Sequence, residues 1–151
     1  MKYLSVFLLF IYISIISTAQ TKVDINEAWI EIIPADTSAG IFDNTYVFNN
    51  APNGYFEIYS NSEYEDLLME GAFHNEKMQG QWLFYNNNVL SEEVVYLNDY
   101  RNGFYKCYYP SGQLKILAYY KNGLAEGDYF IYNEDGSIRT KYKMHNGEII
   151  E

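Results

Sequence analysis

The chain has 151 residues with 20 Asp and Glu against 10 Lys and Arg, a formal net charge of −10 and a sequence pI near 4.5. Such an excess of carboxylates repels nucleic-acid phosphates and anionic lipid headgroups, both of which are bound through Lys and Arg, so nucleic acid is set aside as a partner. Cys107 is the only cysteine; no internal disulfide can form, and packing must hold the fold.

In chain order, Met1-Lys2 is followed by an apolar run from Tyr3 to Ile16, broken by Ser5 and Ser14, and then by Ser17-Thr18-Ala19 with small residues. This reads as a secretory signal, 1–19, cut after Ala19. A run of about fourteen residues is short of the roughly 20 a membrane-spanning helix needs. The mature chain is therefore expected to lack a transmembrane segment and to be secreted or periplasmic. No cysteine stands at the junction to accept a lipid. Charge is uneven along the mature chain: residues 20–93 carry Lys22 and Lys77 against thirteen acids, whereas residues 94–151 carry seven bases and seven acids.

Residues 20–45 are expected to cap the repeats that begin at residue 46. Ile25, Trp29, Ile30, Ile32 and Ile33 are dense enough for one strand over Val23–Ile33 ending at Pro34. A short partner-binding arm is the alternative, on the loop-like composition of "PADTSAG".

From residue 46 onward the chain repeats. The phrase Asn-x-x-x-x-Gly falls at Asn49/Gly54, Asn75/Gly80, Asn98/Gly103 and Asn122/Gly127, and Asn146 opens another copy. Two residues after each glycine stands Phe56, Trp82, Tyr105 or Tyr129; four after, Ile58, Phe84, Cys107 or Ile131; five after, Tyr59, Tyr85, Tyr108 or Tyr132. Two before each asparagine come Val47, Phe73, Tyr96, Tyr120 and Met144. Apolar residues two apart place one face of a strand on a core. Between the paired runs lie Asn86-Asn87-Asn88, Pro110-Ser111-Gly112 and Glu134-Asp135-Gly136, which suit turns. Each repeat is thus predicted to be a β-hairpin, and the chain an all-β, elongated antiparallel sheet of stacked hairpins over 46–151. A lone hairpin is marginal in water, but several cover one another's rings.

The repeat resembles the MORN-repeat variant family. Tyr120, Asn122, Gly123, Gly127, Tyr129, Tyr132, Gly136 and Ile138 fall on its pattern, and the likeness is good from Gly80 to Gly147 and looser from Tyr46 to Met78. The resemblance implies an elongated β-ribbon used for association; bacterial members are described as antitoxin-like.

Catalytic chemistry has little foothold. His74 and His145 occupy equivalent positions three repeats apart, about 29 Å along a sheet, too far to share a metal ion. Glu92 and Glu93 are strand neighbours and should face opposite ways; a cross-strand pair of Glu57 with an acid of the next hairpin could approach glycosidase spacing. Cys107 sits in an inward position and reads as a small hydrophobe. No catalytic residue, metal or cofactor is assigned. Arg139, Lys141 and Lys143 alternate on the last strand, where they guard an exposed edge or form a patch for an acidic partner or headgroup.

The binding candidates lie off the inward register: Tyr55, Leu83, Phe104 and Phe130, with Glu57 beside them. Exposed rings in a row seat a protein or stack on sugars, or are buried by twist or dimerisation. The sequence reading is a non-enzymatic interaction module, antitoxin- or immunity-like, binding a protein with a basic surface steered by Glu57, Glu63, Glu65 and Asp66. Self-association and a carbohydrate-binding module using Tyr55 and Phe104 are the other options.

Overall fold

The computed structural model describes residues 21–27, 29–33 and 45–151. The signal segment and the 34–44 stretch considered as a binding arm lie outside the described residues. The described chain is all β. Its strands are β1 (Thr21–Asp24), β2 (Ile30–Ile33), β3 (Thr45–Phe48), β4 (Gly54–Tyr59), β5 (Leu67–His74), β6 (Lys77–Asn86), β7 (Val89–Leu97), β8 (Tyr100–Tyr108), β9 (Leu114–Lys121), β10 (Leu124–Ala125), β11 (Gly127–Tyr132), β12 (Ile138–His145) and β13 (Glu148–Ile149).

Eleven strands form one sheet in the order β1-β4-β5-β6-β7-β8-β9-β11-β12-β13, with β10 paired to β9. From β4 onward strand order follows chain order, as stacked hairpins require. All pairings in this sheet are antiparallel except β1 with β4. No helix of the described residues is long and apolar enough to cross a membrane.

The N-terminal segment departs from the single strand expected over Val23–Ile33. It forms two strands in two sheets, β1 on the edge of the large sheet and β2 in a separate antiparallel pair with β3. Asp24 makes the break: its Oδ1 accepts from the backbone and side-chain nitrogens of Asn26 at 2.9 and 2.7 Å, and its carbonyl accepts from Glu27 N at 3.1 Å. An aspartate that bonds the backbone two residues on offers the chain a turn instead of a strand.

The repeat motif has a backbone cause. Gly54, Gly80, Gly103 and Gly127 hold φ of +142°, +75°, +144° and +79°, and Asn75, Asn98, Asn122 and Asn146 lie between +49° and +52°. Glycine tolerates the first set and asparagine the second better than other residues. Each motif also reaches its neighbour. The residue before the glycine, Asn53, Gln79, Asn102 or Glu126, uses a side-chain oxygen to accept from the backbone N–H of the next motif asparagine, at 2.6, 3.2, 3.2 and 3.0 Å. Backbone bonds from Asp99 N to Met78 O, Gly123 N to Arg101 O and Gly147 N to Ala125 O add a second stitch. The side-chain stitches span 22, 19, 20 and 20 residues, so each turn is fastened to the strand start of the preceding repeat.

Two faces result. On the inward face a transverse row runs Val23, Ile58, Met69, Phe84, Glu92, Cys107, Ile116, Ile131, Thr140, each opposite the next. Over its first half the β2–β3 pair forms a second layer: Trp29 packs edge-on against Phe56 and Phe73, and Phe48 against Phe73 and Trp82. Trp82, Ile58 and Met69 are almost fully buried there. Beyond β6 the described residues supply no second layer; the smaller core cluster of Val94, Tyr105 and Ala118 is flanked by half-buried tyrosines.

Candidate functional site

The outward face carries its own transverse row, Lys22, Glu57, Glu70, Leu83, Glu93, Lys106, Leu117, Phe130, Lys141, again each opposite the next. It begins ionic and ends apolar and cationic. Three of the sequence candidates, Glu57, Leu83 and Phe130, belong to this one line.

In the first half the carboxylates are held by phenols. Glu57 and Glu70 stand directly opposite each other. Glu57 accepts from the Tyr59 O–H at 2.8 Å and lies 3.9 Å from Lys22 Nζ, which also sits 5.1 Å over the Tyr59 ring. Glu70 accepts from Tyr85 at 2.5 Å and from Tyr55 at 3.1 Å. Glu57 is thus anchored within the face, its side chain only 16% exposed, while Tyr55 is half-buried. Leu83 fills the gap between Glu70 and Glu93.

The arrangement recurs one repeat on. Glu93 accepts from Tyr108 O–H at 2.6 Å, Lys106 Nζ at 3.0 Å and Gln81 Nε2 at 3.3 Å. The Tyr108 bond, aided by Lys106, holds the Glu93 carboxyl below its ordinary range. Burial, then the neighbouring carboxylate, pushes the phenols of Tyr85 and Tyr108 well above theirs. Three of the repeat tyrosines that follow a motif glycine by five, Tyr59, Tyr85 and Tyr108, therefore hold the carboxylates of the acidic row.

The second half loses the acid. Leu117 and Lys141 occupy the positions held by Glu70 and Glu93, and rings take over. Phe104 is 60% exposed and meets Tyr119 edge-on with ring centroids 5.5 Å apart. Phe130 stacks on Tyr132 at 6.0 Å, with Lys141 Nζ 5.1 Å over its ring. Lys141 and Lys143 both bind Asp128 at 3.1 Å, so they are tied to the neighbouring strand rather than standing as bare edge charges. Part of the β12 edge is also covered by β13.

The steering acids Glu63, Glu65 and Asp66 lie in the exposed loop between β4 and β5. Asp66 fastens that loop, its Oδ1 accepting from Asn88 Nδ2 at 3.2 Å and its carbonyl from Ser60 N at 2.9 Å. A space of about 600 Å³ beside the loop is lined by Asp66, Ser60, Met69, Phe84 and Glu92. Its two carboxylates come from the loop and the inward row, not from the Glu57–Glu70 pair. Glu92 and Glu93 do face opposite ways, as strand neighbours must.

Among the remaining chemical candidates, His74 is exposed and His145 Nδ1 lies 3.1 Å from Glu126. No group of metal-ligating side chains suited to an ion occurs among the described residues. Cys107 is half-buried, and burial raises its thiol pKa.

Glu70, Lys106 and Tyr119 were not singled out from sequence, and Glu93 was weighed only as the neighbour of Glu92, although the repeat signals Glu70, Glu93 and Lys106. The residue five before a motif asparagine lies opposite the third residue after a motif glycine, and that pairing generates the row. No protein-family model, curated protein or solved structure matches the chain.

Proposed function

We propose that the chain is a secreted or periplasmic, non-catalytic β-repeat protein of the MORN-variant kind that binds another protein through its outward face. The observation that carries this reading is the exposed Phe104–Tyr119 ring pair beside an unbroken cross-strand row of charged and apolar side chains. Large exposed rings next to ordered charge are the usual anchors of a protein interface.

The acidic half supplies orientation. Glu63 and Glu65 stand exposed in the β4–β5 loop, and residues 20–93 have a net charge of −11, so the partner's matching surface is basic. Because Glu57, Glu70 and Glu93 are already bonded, steering falls to the loop acids and the summed field. An antitoxin- or immunity-like role, in which the face covers a basic surface of a toxic protein, suits this combination.

A carbohydrate-binding reading is favoured by one feature, the same exposed Phe104 and Tyr119 rings, which present faces a sugar could stack on. Capture from the extracellular fraction separates the two. The unaltered chain should retain a basic protein, and the Phe104→Asp/Phe130→Asp variant should lose it. Equal capture by both, or retention of polysaccharide alone, contradicts the protein-binding reading.

A further inference from the structure

Toward the last strands the inward face hollows into a trough of about 530 Å³ lined by Tyr120, Leu124, Tyr129, Tyr142, Met144 and Ile149. Its walls follow from the repeat. Tyr120, Tyr129 and Tyr142 come from β9, β11 and β12, with Tyr129 and Tyr142 directly opposite each other, and the short strands β10 and β13 add Leu124 and Ile149. No charged side chain is among the lining residues. A concave space of this size and apolar character is that of a small-molecule site.

A cation borders the Tyr120 end. Arg101, opposite Tyr96 on β7, holds its guanidinium 5.0 Å over the Tyr105 ring and 5.4 Å over the Tyr120 ring. Its carbonyl accepts from the N–H of Gly123, which also lines the trough. Arg101 is half-buried and takes part in no ion pair among the described residues. A cation drawn partly out of water without a carboxylate keeps a desolvation cost that an incoming anion offsets. Its field extends into the trough: burial raises the Tyr129 phenol, and Arg101 pulls it partly back. The hydroxyls of Tyr120, Tyr129 and Tyr142 have no hydrogen-bond partner among the described residues, which leaves donors for a ligand oxygen.

From these relations we infer that the trough binds the anion of a free straight-chain carboxylic acid, the carboxylate on Arg101 at the Tyr120 end and the chain lying toward Ile149. Each part of that ligand answers one part of the site. A guanidinium fork matches a carboxylate in shape and charge. The far end offers Leu124, Met144 and Ile149 and no second charge, so it takes methylenes rather than another polar group. From β9 to β13 is three strand spacings, roughly 14 Å, which suits a chain of about ten carbons. The acidity of the protein does not oppose an anion here, because residues 94–151 balance seven bases with seven acids and the charge of −11 belongs to residues 20–93. The trough is on the opposite face from the proposed partner site and does not depend on it.

Calorimetric titration of the purified chain with sodium decanoate tests the inference, with octanoate and octanol as comparison probes. Decanoate should fill one site with a dissociation constant of about 0.1 mM. Octanoate should bind about fourfold more weakly, since two half-covered methylenes are lost. Octanol, which keeps the chain length and lacks the charge, should bind about tenfold more weakly than octanoate. Arg101→Gln should weaken decanoate about tenfold and leave octanol unchanged, and Met144→Asp should weaken all three probes. Phe104→Glu, on the outward face, should change none of them. No saturable decanoate binding below about 1 mM, octanol bound as tightly as octanoate, or weakening by Phe104→Glu in place of Arg101→Gln overturns the inference. Should Arg101→Gln fail to fold, the octanoate–octanol comparison in the unaltered chain decides alone.

Discussion

The indole of Trp82 lies across the backbone of Gly71: a Cβ placed on that glycine would fall 2.2 Å from Trp82 Cδ2 and 2.4 Å from Cε2. Trp82 is fully buried and donates its Nε1–H to Ala72 O at 3.2 Å. The other copies place Val94, Ala118 and Tyr142 at the position of Gly71, so the smallest residue sits where the largest ring needs room.

Gly71→Ala should therefore destabilise the chain by about 3 kcal/mol, because the ring is pinned by Phe73 and Phe48 and by its hydrogen bond and cannot move aside. Urea unfolding would show a lower midpoint with an unchanged slope. A loss well under 1 kcal/mol would mean that the ring is free to shift.

Glu76→Gly should act in the opposite direction. Glu76 holds φ of +65° in the Asn75-Glu76 turn, a left-handed conformation that costs a side-chain-bearing residue about 1 kcal/mol and glycine little. The same turn is Asn-Gly at Asn122-Gly123 and Asn146-Gly147. Thermal unfolding should rise by a few degrees, as expected for about 1 kcal/mol.

Stability should fall at both ends of the pH scale. The folded-state pKa of Glu93 lies below its ordinary value of 4.5; its contribution is present above that value and is lost as pH drops through the lowered one. Tyr108→Phe removes the largest cause and should flatten the acid limb of a stability–pH curve. At the alkaline end Tyr85, Tyr105 and Tyr108 have pKa values raised above 10.0. Their contribution is whole below pH 10 and is lost as pH climbs through the raised values. Phenolate absorbance should therefore appear in two stages, exposed tyrosines first and these three together with unfolding.

Association with the partner should slow as salt is added, because steering by a net-negative half is screened over about 8–10 Å at physiological ionic strength. Glu63→Gln/Glu65→Gln should lower the association rate several-fold at low salt and leave the dissociation rate nearly unchanged. Stopped-flow rates insensitive to salt would remove steering from the account.

Much of the fold was legible because the repeat writes its geometry into residue type. Asn122, Gly123 and Gly127 are the residues that their backbone angles demand, and the two-residue period of Tyr129 and Ile131 names the inward face. The N-terminal segment was misread because Asp24 looks like any polar residue in a strand, and its turn bonds with Asn26 depend on local geometry. A second layer over half the sheet was equally invisible, since Trp29 and Phe48 show apolar character but not where they dock. On the outward face Glu57 read as a free steering charge because sequence does not reveal that Tyr59 and Lys22 claim it. The outward position of Phe104, exposed and edge-on to Tyr119, was legible from its place in the repeat alone.

The central claim is that the partner docks on the outward face, and side-chain footprinting of the complex tests it most directly. Lys106, in the outward row, should become resistant to acylation when the partner is bound, while Cys107, its neighbour on the opposite face, keeps its alkylation rate. Shielding of Cys107 with Lys106 unchanged would place the partner on the wrong side of the sheet and contradict the account.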